Sequence, residues 1–178
     1  DFPAGASVSG ASAATLFTSI PSGCDYNDAL SDTTYYQYCY DSGTLTAYPK
    51  LTSTPAFQLT GLLTNTQNSD FEQVLTPVPQ AESVVFPMAD QNLYSVSNSA
   101  TGDVEPALVA TKFDPDFGWE AIGNWLIYGD TAGALTRASN VDGSVIDEPL
   151  DTCEMFDFGL LTDTAGTRIW APGGYCAY

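Results

Sequence analysis

Carboxylates are the abundant chemical groups of this chain. Twenty-two Asp and Glu stand against four Lys and Arg and no His, for a formal net charge of -18 over 178 residues. Two carboxylates are enough for glycoside hydrolysis, one acting as acid and the other as base or nucleophile. Glu120 follows Trp119, while Glu154 and Asp157 flank the Met155-Phe156 pair. An apolar neighbour raises a carboxyl pKa and suits the acid role. These three residues are the catalytic candidates if the chain is an acid-acting polysaccharide hydrolase; the plainer expectation for each is a solvated face. Asp41-Ser42-Gly43-Thr44 matches the local pattern of aspartic peptidases, which need two such carboxylates sharing a proton. The other Asp-Thr-Ala-Gly segments do not supply a second copy, so a β-turn is expected there.

The absence of His excludes Ser-His and Cys-His pairs and removes imidazole as a zinc ligand. Oxygen-rich loops suit calcium best. Asp114 and Asp116 alternate in one acidic loop, and Asp142 sits in another. Neither loop has the spacing of a helix–loop–helix calcium site, so charged turn residues are the simpler expectation and no cofactor is implied. The negative charge opposes binding to nucleic acid and to anionic lipid alike, and no run of 18 apolar residues spans a membrane.

Tyrosines offer a different chemistry. Residues 34–40, TYYQYCY, form a strand pattern in which side chains alternate between two faces. If Cys39 faces inward, Tyr36, Tyr38 and Tyr40 face outward in a row about 13 Å long at roughly 3.3 Å per residue. Such a row would stack against sugar rings or dock on a partner; the competing expectation is that this face is core. Trp119, Trp125 and Trp170 are expected in the core.

The elements that must position these groups are short strands. A chain with 44% apolar residues and 12% aromatics can build a real core, and its length suits one domain. Residues 1–23 are rich in Ala, Ser and Gly and are expected to pack on a single β domain at 24–178, either draped or with a short helix over Ala11–Ile20. Strands are predicted at 34–40, 44–48, 56–63, 71–75, 83–88, 93–97, 106–113, 125–128, 134–137, 144–146, 155–161 and 167–170. Prolines at 77, 79 and 87 oppose a central helix. Turn signals every 8–12 residues predict an all-β sandwich or barrel. The segment WLIYGDTAGALTRA (125–138) resembles FGLLTDTAGTRIWA (158–171), an internal hairpin repeat.

Four cysteines lie in two close pairs, Cys24/Cys39 and Cys153/Cys176. Their spacings do not suit a four-thiolate zinc site, so two disulfides and an oxidising compartment are expected. Of the three possible pairings, local pairing of Cys24 with Cys39 and of Cys153 with Cys176 is preferred, each contributing roughly 3 kcal/mol. A chain opening at Asp1 is expected of a secreted protein after leader cleavage, and no N-x-[ST] sequon is present.

The segment Cys153-Glu-Met-Phe156-Asp-Phe158, with Trp170 and the earlier Phe57-Gln-Leu59-Thr-Gly-Leu-Leu63, resembles small secreted fungal cell-wall proteins of the phialide-protein or IgE-binding type. The resemblance covers about half of the chain. It implies secretion, a β-fold and a role at a fungal surface, and it transfers no catalytic residue. The expected function is thus a secreted, acidic, non-enzymatic protein of the cell wall or extracellular space, binding polysaccharide through surface aromatics. The alternatives are the two-carboxylate hydrolase and an effector that binds a host protein.

Overall fold

The computed structural model describes residues 26–50, 52–64, 76–78, 82–114, 119–123, 125–139, 148–151, 161–162 and 169–170. Among them there is no helix. The first sheet joins β1 (Tyr26–Leu30), β2 (Thr34–Cys39), β3 (Thr44–Pro49) and β4 (Phe57–Thr60) in chain order. A second joins β5 (Thr76–Val78), β6 (Ser83–Pro87), β7 (Leu93–Ser97) and β8 (Ala107–Ala110), and a third joins β9 (Trp119–Ile122), β10 (Trp125–Gly129), β11 (Leu135–Ser139) and β12 (Glu148–Asp151). A two-stranded piece, β13 (Leu161–Thr162) with β14 (Ile169–Trp170), follows. Every pairing is antiparallel and between chain neighbours.

The all-β antiparallel class expected from the sequence is thus observed. Its strands are grouped as successive meanders. The first strand of each sheet meets the first strand of the next, β1 against β5 and β5 against β9, and β13 lies against β9. This is radial repetition of four-stranded sheets, a way of limiting exposed edges that differs from wrapping one sheet into a barrel.

Tyrosines and small residues explain the first sheet. Across the register, Ala29, Tyr36, Ala47 and Phe57 form one row, and Tyr38, Leu45 and Leu59 a second. All seven are buried. The two alanines beside Tyr36 leave room for its ring, as packing at crystal-like density demands. In the third sheet Trp119, Tyr128 and Thr136 form the equivalent buried row, beside Ala121, Leu126 and Ala138. Phe113 meets Trp119 edge-to-face with centroids 5.3 Å apart.

The turns follow from local chemistry. Asp41-Ser42-Gly43 closes β2 onto β3, with Gly43 at φ +60. A Cβ there would lie 2.5 Å from the Leu62 carbonyl oxygen, so only glycine fits the approach of the chain after β4. Asp130 caps the β10–β11 turn: its Oδ1 accepts from the backbone N–H of Ala132 and of Ala134, both at 2.9 Å. The hairpin repeat is therefore real in its first copy, and β13 and β14 pair antiparallel in the second.

Candidate functional site

Of the two expectations for the tyrosine row, the structure shows the core one and not the surface row. Tyr36 and Tyr38 are fully buried and Tyr40 is nearly so. Cys39 is itself buried, so the premise that failed is that covering one face of β2 leaves the other outward: Cys39 shares its face with buried Gln37 and half-buried Tyr35, while the face carrying Tyr36 and Tyr38 meets Leu45, Ala47, Phe57 and Leu59. A face offering three rings to apolar cross-strand neighbours is core. The phenols are nevertheless satisfied. Tyr36 donates to Asn98 Oδ1, and Tyr38 donates to the Leu63 carbonyl. Burial pushes the Tyr36 hydroxyl up to about 12 and raises that of Tyr38 further, with the neighbouring Tyr40 adding to the latter. Tyr36, Tyr38 and Tyr40 therefore do not form a binding row.

The opposite face is covered at Gln37, Cys39 and Thr46 and opens only at its end, where other rings are partly exposed. Leu30, Tyr35 and Tyr48 are direct cross-strand neighbours on β1, β2 and β3. Leu30 is 62% exposed, and both tyrosines are partly exposed. The two rings sit 6.3 Å apart at an interplanar angle of 37°. The Tyr35 hydroxyl donates to Asp28 Oδ2 at 2.6 Å, which fixes the ring. Two tilted rings, an exposed leucine and an oriented carboxylate together make an amphipathic surface at the end of the first sheet. The signal was present in the sequence: Tyr35 alternates with Tyr36, and Tyr48 ends the next strand. The sequence did not show that this face is covered everywhere except at its end.

Glu120 lies on β9, opposite Ile127 of β10, with Arg137 of β11 across Ile127 on the other side. It is half-buried, and desolvation raises its carboxyl against a hydrogen bond from the Ala121 backbone. Arg137 stacks over the partly exposed Trp125, its guanidinium carbon 4.3 Å from the ring centroid. Trp119 is core, as expected; Trp125 is not fully so. The other catalytic candidates, Glu154 and Asp157, lie outside the described residues.

Of the calcium candidates, Asp114 follows the bridge between Phe113 and Asp130, its N–H donating to the Gly129 carbonyl at 2.9 Å. Asp116 and Asp142 lie outside the described residues. Among the described residues no group of three metal-ligating side chains converges. Cys39 is disulfide-bonded; Cys24, Cys153 and Cys176, and with them the pairing, lie outside the described residues, as does the segment 1–23. No helix among the described residues is long and apolar enough to cross a membrane.

No family model and no curated protein matches the chain. Solved structures share its fold. BamB from Moraxella catarrhalis, which is β-propeller-like, superposes with a TM-score of 0.53 at 15% identity, over 79% of this chain and 39% of BamB. The computationally designed protein Ika4 superposes with a TM-score of 0.51 at 12% identity, over 89% of this chain and 98% of the design. At such identities the likeness is one of fold. The chain spans about two fifths of BamB's length. Successive four-stranded meanders with touching first strands are what blades of such a fold require.

Proposed function

We propose that the protein is a secreted, acidic, non-enzymatic component of a cell wall or extracellular matrix that binds polysaccharide through Leu30, Tyr35, Tyr48 and Asp28. The observation that carries this is the fixed Tyr35–Tyr48 pair on the exposed end of the first sheet. Aromatic rings bind the C–H faces of sugars through apolar contact, and a carboxylate takes their hydroxyls. A ring already oriented loses little freedom on binding. The resemblance to fungal surface proteins and the cysteine usage support secretion, and the preferred pairing joins Cys24 to Cys39 and Cys153 to Cys176.

Co-sedimentation with insoluble glucan, chitin and mannan tests the proposal. Tyr35→Ala and Tyr48→Ala are expected to release the protein from whichever polymer retains it, with little change in thermal stability. Retention unchanged in the double variant would overturn it. The raised Glu120 carboxyl favours a second function, hydrolysis, which predicts soluble sugar release abolished by Glu120→Gln. Capture of one host protein without affinity for any glycan would favour the effector function.

A further inference from the structure

The charges beside the exposed rings narrow the class of polysaccharide. Asp28 on β1 and Asp32 in the β1–β2 turn are exposed, as is Lys50 just past β3, whose N–H donates to the Thr33 carbonyl at 2.8 Å. Asp28 stands two residues before Leu30 and so shares its face of the sheet with Leu30 and Tyr35. Its Oδ2 accepts from the Tyr35 hydroxyl, while Oδ1 has no partner among the described residues. A carboxylate is thus held at the hydroxyl edge of one ring with one oxygen open to a ligand.

Anionic, neutral and cationic glycans meet this surface differently. A net charge of -18 repels an anionic chain, leaves a neutral one unsteered and draws a polycation. At contact, an ammonium donating to a carboxylate makes a charge-assisted bond, roughly twice as strong as that of a neutral donor. The faces of the Tyr35 and Tyr48 rings carry the negative part of the aromatic quadrupole, which attracts a cation and opposes an anion. The protein's overall charge, the fixed carboxylate and the two exposed rings therefore select the same sign.

We infer that the polysaccharide bound at this surface is an amino-sugar polymer bearing free ammonium groups, an inference that rests on the reading of Leu30, Tyr35, Tyr48 and Asp28 as the polysaccharide surface. The ammonium donates to Asp28 Oδ1, and the C–H face of the sugar ring lies on the tyrosines and Leu30. Asp28 is already oriented by its bond to Tyr35, so little freedom is lost when the ligand arrives. Asp32 adds a second negative charge at the same end of the sheet, set against the single positive charge of Lys50.

Insoluble cross-linked chitosan and fully acetylated chitin share one backbone and differ in free ammonium groups. Co-sedimentation of the full chain with each, at about 0.15 M salt where the Debye length is about 8 Å, tests the inference. Retention on chitosan is expected to be about tenfold tighter than on chitin. Asp28→Asn keeps an acceptor for Tyr35 and removes the charge; it should weaken retention on chitosan about tenfold and leave that on chitin unchanged. Asp103→Asn makes the same change in net charge at an exposed position between β7 and β8 and should alter neither. Glucosamine oligomers should release the bound protein at lower concentration than oligolysine of equal charge. Equal release by oligolysine, or equal weakening by Asp28→Asn and Asp103→Asn, would show attraction of bulk charge alone and overturn the inference. Equal retention on chitin and chitosan would also overturn it. If that equal retention disappears in the Tyr35→Ala, Tyr48→Ala double variant, the polysaccharide surface stands without its cationic preference; if no glycan retains the protein, both fall.

Discussion

Burial decides the role of each tyrosine. Tyr38 sits at 0% exposure and its hydroxyl supplies the Leu63 carbonyl. Tyr38→Phe keeps the ring and orphans the acceptor, so urea unfolding should show a loss of about 1–2 kcal/mol. Tyr36→Ala would instead empty a core row and cost about 3–5 kcal/mol; lost ligand binding in that variant would report unfolding. Glu120 gives a signed pH effect. Its folded pKa is raised above the ordinary 4.5, so the native state holds this proton more tightly than the unfolded chain. Its contribution to stability is therefore fully favourable below the unfolded value and is lost as pH rises through the folded value. Glu120→Gln should raise the melting temperature at about pH 7 and change it little at about pH 3, read by circular dichroism.

The turns and the first strands obey different determinants. Asp130 holds three groups around the β10–β11 turn, the N–H of Ala132 and of Ala134 and, at 3.4 Å, the Thr136 hydroxyl. Asp90 serves the β6–β7 turn through Asn92 and Tyr94. Burial alone would raise the Asp90 carboxyl, but the Tyr94 and Asn92 hydrogen bonds outweigh it and hold it below 3.8. Gly43→Ala should destabilise by more than about 1 kcal/mol in thermal melts, because it combines a positive φ with a clash against the Leu62 carbonyl. Asp130→Ala should cost about 1 kcal/mol. These turns were legible because Asp-Ser-Gly and Asp-Thr-Ala-Gly carry their own geometry. So was β7, predicted at 93–97 and observed there. The strands β1 (YNDAL), β9 (WEAI) and β12 (EPLD) were not, since each holds acids or a proline and owes its conformation to pairing partners distant in sequence. The predicted strands at 71–75 and 144–146 lie outside the described residues.

At the level of the molecule, alternation and turn spacing revealed antiparallel β-structure but not how the sheets meet. Sandwiches, barrels and radial meanders share that local signature; contacts such as β1 with β5 and β5 with β9 separate them. The same ambiguity hid the Tyr35–Tyr48 surface, because two-residue periodicity names two faces without saying how much of each is covered, and here only the end of one is open. A net charge of -18 adds self-repulsion that salt screens. Raising ionic strength at neutral pH should therefore raise the melting temperature, and no change would show that the charges are too dispersed to matter.

The claim that this scaffold displays aromatic side chains and transforms nothing is tested most directly in one tube. The protein is incubated with insoluble glucan, chitin or mannan, and both retained protein and released reducing ends are measured. Retention that disappears in the Tyr35→Ala, Tyr48→Ala double variant, with no reducing ends released, is the predicted result. Release of reducing ends that Glu120→Gln abolishes would contradict it.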